Sequence, residues 1–391
     1  MKFRKSFRFQ RGLLLPLLLG GMLLFSRCQC TEPEEPGPLV SHLTFADPNL
    51  ASCVRAQPVR YVRELKFLDC SDQEISYPYS KITDLAGIEG LTSLEVLYLD
   101  NNTISEVGPL AALTRLRILS LGENTISDLW PLATLTSLTD LHLDSNSVSD
   151  VSALSALTNL TRLDLGGNDI SEVGPLGALT SLRVLLLDAN TISDVTALAA
   201  LTRLVVLNLD YNTISEVSAL ATLTGLTQLQ LDNNGIWDVS PLSSLISLTW
   251  LSIDNNSIVD VDPLAPLTSL TSLSLRQNSI IDVSPLAALA NLASLYLSGN
   301  GIVDLSPLAP LTSLTRLDLS GNSIVDVSPL APLTSLTYLI LSNNSITTGV
   351  GYLVSLTSAH QISLVGNNGI PCADLDALES VPAFTRPDSC I

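Results

Sequence analysis

Leu94-Glu95-Val96-Leu97-Tyr98-Leu99-Asp100-Asn101-Asn102-Thr103-Ile104 returns 22 residues later as Leu116-Arg117-Ile118-Leu119-Ser120-Leu121-Gly122-Glu123-Asn124-Thr125-Ile126. The second asparagine marks the period. It stands at 102, 124, 146, 168, 190, 212, 234, 256, 278, 300, 322 and 344, each 22 residues after the last, and Asn367 follows after 23. A fixed period sustained this long is the mark of a stacked repeat architecture. Within each unit the leucines at positions equivalent to 97 and 99 alternate as the buried residues of a strand do. Stacked in parallel about 4.8 Å apart, twelve or more such strands make a sheet roughly 55–60 Å long. Leu94, Ile104, Val107, Leu110 and Leu113 close the coil behind it. One coil cannot bury its own faces, so neighbours must do it and the ends need caps.

The asparagines are expected to be structural. Where the chain leaves the strand, backbone groups would be buried without partners, and a carboxamide offers both a donor and an acceptor. Leaving such groups unpaired costs about 1–3 kcal/mol each. The limb that follows reads Ile-x-Asp/Glu-Val-x-Pro/Ala-Leu-Ala, as at 104–111. Proline fixes φ and donates nothing, and with about eight residues available the limb should hold a tight turn or 3-10 helix. The column Thr92, Thr114, Thr136, Thr158, Thr180, Thr202 and Thr224 reads as a turn-capping column. The fold class is therefore an α/β-type solenoid. A parallel sheet lines one side of it, and 3-10 or turn segments the other. A β-helix polysaccharide enzyme stacks coils of similar length but needs two or three β-branched strands per coil. Here there is one leucine-dominated strand.

LxxLxLxxNxI at this period resembles the leucine-rich repeat. The limb Asp-Val-Ser-Pro-Leu-Ala, at 282–287 and 326–331, is similar to that of the bacterial internalin subclass. The resemblance spans residues 82–368, about 13 repeats. It implies a horseshoe in which the residues flanking the strand leucines point out of the concave face. Thr44-Phe45-Ala46-Asp47-Pro48-Asn49-Leu50 looks like the short helical cap that precedes such repeats, within a cap segment 43–81. Asp47 would cap that helix, with proline in its first turn. Ser80 departs from the register, standing where an asparagine is due. Residues 369–391 read as a disulfide-closed end cap with no further domain after it, so the adhesin or invasion roles of large internalins do not carry over automatically.

Composition bounds the rest. Hydrophobic residues make up 46% of the chain, aromatics only 5%, and mean hydropathy is +0.38. Yet after residue 25 no apolar run reaches the roughly 18–20 residues that span a bilayer. The first 28 residues read as an export signal, a basic stretch followed by apolar Leu13–Phe25. Two cleavage readings stand: a lipoprotein signal with Cys28 lipidated, or cleavage before Gln29. Residues 29–42, rich in Pro and Glu, read as a disordered tether. Nineteen basic residues face 38 acidic ones, and six of the basic ones precede residue 28. Without them the balance is 13 against 38, or −25, which repels nucleic acid and anionic lipid and favours a basic partner. Beyond the tether lie Cys53, Cys70, Cys372 and Cys390, which allow three pairings. Two near each end of a long, rigid chain favour Cys53–Cys70 and Cys372–Cys390 in an oxidising, extracytoplasmic setting. The protein would be secreted or lipid-anchored at the bacterial cell envelope.

Two features carry the candidate site. The position after the second strand leucine holds Asp188, Asp210, Asp232 and Asp254 in four consecutive repeats. Carboxylates at sheet spacing repel, raising each other's pKa unless a cation or donor intervenes. They could seat a basic partner or Ca²⁺, or simply bond to turn amides. The flanking positions also put apolar side chains on the concave face: Val96, Tyr98, Ile118, Val184, Leu186, Val206, Trp250, Tyr296, Tyr338 and Ile340. Exposed aromatics on a rigid sheet are the usual anchors of protein interfaces. Val184, Leu186 and Val206 should touch across adjacent strands. Trp130 and Trp237 belong to the return limb. No catalytic constellation, phosphate loop or metal-spaced His/Cys cluster appears, and His142 beside Asp144 is a surface pair. The reading is a non-catalytic binder of a protein partner, without cofactor. A Ca²⁺-dependent or glycan-directed surface binder is the alternative.

Overall fold

A computed structural model describes residues 37–71, 81–378 and 384–391. The export signal, Cys28 and Ser80 lie outside these residues. Among the described residues, fifteen parallel strands form one sheet in sequence order. Each contributes three residues except the last, Phe384–Thr385. Leucine opposes leucine along its middle: Leu97 pairs with Leu119, Leu119 with Leu141, and Leu185 with Leu207. All of these are fully buried in one continuous aliphatic core. One strand per coil sets the β-helix reading aside. The sheet runs past 82–368 at both ends, since Phe67–Asp69 pairs with Val96–Tyr98 and Phe384 pairs with Ile362.

The asparagine ladder works as its chemistry requires. Asn212 Oδ1 accepts from Ile192 N of the preceding coil at 2.9 Å. Its Nδ2 donates to Leu187 O at 3.0 Å and to Leu209 O at 3.1 Å. The same pattern joins Asn124 to Ile104, Leu99 and Leu121. Just before each asparagine the chain takes a left-handed turn. Gly167, Gly299, Gly321 and Gly366 occupy it at some coils, and non-glycine residues such as Ala189 (φ 53°) and Tyr211 (φ 55°) at others.

The convex limbs are 3-10 turns, as at Gly108–Ala112 and Thr196–Ala200. Several are started by the acid of the Asp-Val pair: Asp194 Oδ1 accepts Thr196 N at 2.8 Å, and Asp282 Oδ1 accepts Ser284 N at 2.8 Å. The threonine column is corrected here. Among the described residues, Thr92, Thr114 and their equivalents sit in turns without side-chain hydrogen bonds. A different column does the bonding, just before the strand: Thr161 Oγ1 donates to Thr139 O (3.1 Å), Thr249 to Thr227 O (3.1 Å) and Thr337 to Thr315 O (2.8 Å).

At the amino end, helix Pro48–Arg55 is capped by Asp47, whose Oδ1 accepts Asn49 N at 2.7 Å. The other oxygen of Asp47 accepts Thr83 N at 2.8 Å, locking the cap to the first coil. The Cys53–Cys70 and Cys372–Cys390 disulfides close the two ends. The tether expected through residue 42 is packed from Leu39 onward. Leu39 bridges Tyr61, Val40 N donates to Arg60 O at 3.0 Å, and the Val40 side chain is buried in the core.

Candidate binding surface

Because side chains alternate along a strand, the middle leucine of each strand points into the core and the residues on either side of it point out. The ten apolar residues named above occupy these outward positions, half-buried apart from the exposed Tyr338. The register divides them into three groups. Val96 pairs with Ile118 near the amino end, where Tyr98 meets Phe67 edge-on at 5.7 Å between ring centroids. In the middle, Val184 pairs with Val206 and Leu186 sits on the same strand as Val184. Gln228 separates Val206 from Trp250.

The third group is aromatic and charged. The Arg276 guanidinium lies 4.2 Å from the Tyr296 ring centroid, within cation–π range, and reaches Asp254 (3.7 Å) and Asp318 (3.5 Å). Arg316 lies 5.3 Å from the Tyr338 ring, which stacks at 6.4 Å on His360. Tyr338 and Ile340 flank Leu339 on one strand. Phe67, Arg276 and Arg316 were not read as contributors from sequence. Phe67 precedes the first ladder asparagine, so no period marks its strand. The arginines' partners come from neighbouring coils.

The acidic column splits by the direction each carboxylate turns. Asp210, Asp232 and Asp254 turn toward the following coil. Asp210 Oδ1 accepts Asp232 N at 2.6 Å. Asp232 Oδ1 accepts Asp254 N and Ser252 Oγ, each at 2.7 Å. Asp254 Oδ1 accepts Arg276 N at 2.7 Å and Ser274 Oγ at 2.6 Å. Asp144 and Asp188 turn back over a glycine. A Cβ on Gly122 would lie 2.6 Å from Asp144 Oδ1, and one on Gly166 would lie 2.8 Å from Asp188 Oδ1. Donors therefore do reach part of the column, yet burial outweighs them. Burial first, then repulsion from Asp232, pushes Asp210 up to about 8. Burial also raises Asp188, Asp232 and Asp254.

His142 faces Asp164 on the next strand as well as Asp144. The His142 Nδ1–Asp164 Oδ2 distance is 4.0 Å. One ligand atom from each of His142, Asp144 and Asp164 falls within 4.8 Å of the others, a donor set with the chemistry to hold a divalent cation. Burial and then the Asp144 charge push Asp164 up to about 7, while burial and then Asp100 push Asp144 up to about 6. Asp164 stands 22 residues after His142, so the period itself makes the two strand neighbours, and reading His142 only against Asp144 overlooks it.

Comparison with known proteins places this geometry. The family description "Leucine Rich repeats (2 copies)" matches residues 158–200, 202–244 and 290–332, and "Leucine rich repeat" matches 246–302. A comparison with curated proteins finds no match. Among solved structures, an internalin of Listeria monocytogenes, InlF, is 32% identical with a TM-score of 0.76, covering 90% of this chain and 98% of its own. A leucine-rich repeat protein of Leptospira interrogans is 26% identical with a TM-score of 0.74, covering 79% and 82%. The ectodomain of the Arabidopsis thaliana receptor kinase GASSHO1/SCHENGEN3, solved in complex with Casparian strip integrity factor 2, shares the fold at 22% identity. Its TM-score is 0.67, and the match covers 79% of this chain and 43% of that one.

Proposed function

Given that the chain belongs to the leucine-rich repeat proteins of internalin type, we propose that it is an exported, non-catalytic module that holds a protein partner on its concave face. The observation that carries the reading is the central group. Val184, Leu186 and Val206 form an apolar floor on adjacent strands, with Trp250 beyond Gln228. Asp188, Asp210, Asp232 and Asp254 run along its edge. Apolar anchors give affinity, and the carboxylates select a partner with Lys or Arg at the rim. A cation arriving there would ionise Asp210, so the attraction grows on contact. Export agrees with two disulfides, which persist in oxidising compartments. Cys28 is the proposed anchor if the protein is lipidated.

The test is capture from native host or envelope extract by the wild-type protein and by a Leu186→Arg, Trp250→Ala double variant. A protein retained by the wild type alone supports the concave site and identifies the partner. Equal capture by both would move the site elsewhere on the molecule. For the anchor, Cys28→Ser should release the protein from the membrane fraction, and unchanged fractionation would exclude lipidation there.

A further inference from the structure

A second apolar feature lies off the concave face, on the limb that leaves each asparagine. The position three residues after the ladder asparagine is serine in six consecutive coils: Ser105, Ser127, Ser149, Ser171, Ser193 and Ser215. In the next five it is Trp237, Val259, Ile281, Val303 and Val325, after which it is Thr347. These five side chains are 59%, 59%, 64%, 50% and 42% exposed, whereas the residue before each, from Ile236 to Ile324, is fully buried. Six serines show that the fold asks for nothing apolar at this position. Coils in register at strand spacing make the five a continuous row about 19 Å long. Single exposed hydrophobics need no explanation, but a contiguous apolar row marks an interaction surface.

The neighbouring charges select the occupant. Each residue of the row is followed by an aspartate: Asp238, Asp260, Asp282, Asp304 and Asp326. Their carboxylates accept the amide two residues on, at 2.8–2.9 Å, and remain at the surface. A second copy of this chain docked row to row would bring two acidic columns together. An anionic bilayer would be repelled as well. We infer that the row Trp237–Val259–Ile281–Val303–Val325 docks a cationic amphipathic helix of a partner protein, with its apolar stripe on the row and its Lys or Arg side chains on the aspartates. A helix of about 13 residues spans the row, and its i, i+3, i+4, i+7 stripe supplies contacts at matching intervals. This surface is separate from the concave face and does not depend on the reading given for it.

The repeat supplies a fold-neutral variant, because serine already fills this position in six coils. The full chain and its Trp237→Ser, Val259→Ser, Ile281→Ser, Val303→Ser, Val325→Ser variant would be titrated calorimetrically. The probe is a synthetic 14-residue Lys/Leu peptide of about four helical turns with its leucines on one face. The wild type should bind at least about tenfold tighter than the serine variant, with equal melting temperatures. A Leu186→Arg variant should bind as the wild type does, placing the contact off the concave face. Equal affinity for the serine variant would overturn the proposal. So would equal affinity for a scrambled peptide whose leucines share no face, or preferential binding of the wild type to phosphatidylcholine vesicles. A melting temperature that fell in the serine variant would also count against it, by making the row part of the core.

Discussion

Asn212 shows how much of this protein rests on single side chains. Its carboxamide satisfies Ile192 N, Leu187 O and Leu209 O, joining two coils with no backbone group left over. Asn212→Ala would orphan Ile192 N, while Leu187 O keeps Asn190 Nδ2 and Leu209 O keeps Asn234 Nδ2 as donors, so chemical denaturation should show a loss of about 1–3 kcal/mol. A loss no larger than that of an exposed serine substitution would mean that water replaces the carboxamide. The left-handed position predicts the opposite sign. Ala189 holds φ at 53°, where glycine sits in other coils. Ala189→Gly should therefore stabilise by about 0.5–1 kcal/mol, the relief of Cβ strain less the entropy of glycine. A loss of stability on the same measurement would show that this turn is not strained.

At the scale of elements, strand and cap divide the work. The strand is only three residues long and is stable only in its stack, since its middle leucine touches the leucines of both neighbours. Leu207→Ala should cost about 2–5 kcal/mol. An unchanged melting temperature would contradict the buried register. The caps protect the exposed ends of that stack. Their disulfides close short loops, with sequence separations of 17 and 18 residues, worth about 3 kcal/mol each by loop closure. On reduction, hydrogen exchange should rise first near Phe67–Asp69 and at the carboxy-terminal coils, and only later at the middle. Uniform exchange along the chain would mean that the solenoid opens as one unit instead.

Over the whole molecule, charge is distributed by side. Acids line the limb that leaves the strands, from Glu106 to Asp326 at every coil, while Arg115, Arg117, Arg183 and Arg203 lie on the side that enters them. The two acidic populations titrate in opposite senses. Asp144, Asp164 and Asp210 are pushed up to about 6, 7 and 8, chiefly by burial. The folded state therefore keeps protons that the unfolded chain has lost. The stability this contributes is full below the ordinary aspartate value of 3.8 and is lost as pH rises through 6 to 8. Asp194, Asp282 and Asp304 are held below the ordinary range by the hydroxyl and amide of the following Ser or Thr. Their contribution is present above that range and lost as pH falls below it. The melting temperature should thus peak near about pH 4 and fall as pH rises to about 8. Asp210→Asn should flatten the alkaline limb, and an unaltered profile would remove Asp210 as its source.

The period, the strand at each Leu-x-Leu, the asparagine ladder and the concave orientation were legible in the sequence, because each is a local pattern repeated in register. A residue's neighbour across the sheet is simply the residue 22 positions away. Tertiary structure decided what depends on where a flexible side chain turns. Asp188 leans back over Gly166 while Asp232 reaches forward to Asp254 N, though both occupy the same column. The period makes His142 and Asp164 neighbours, but side-chain rotation decides that one atom from each of His142, Asp144 and Asp164 lies within 4.8 Å of the others. The bonded threonines are those beside the strand rather than those in the turn. Leu39 and Val40, in a segment whose composition suggests a loose tether, pack because Arg60 and Tyr61 fold back to meet them. A 22-residue repeat specifies backbone and core, since every coil must bury the same leucines. Contacts between polar side chains depend on which neighbour offers a donor or leaves a gap, and only the assembled stack supplies that.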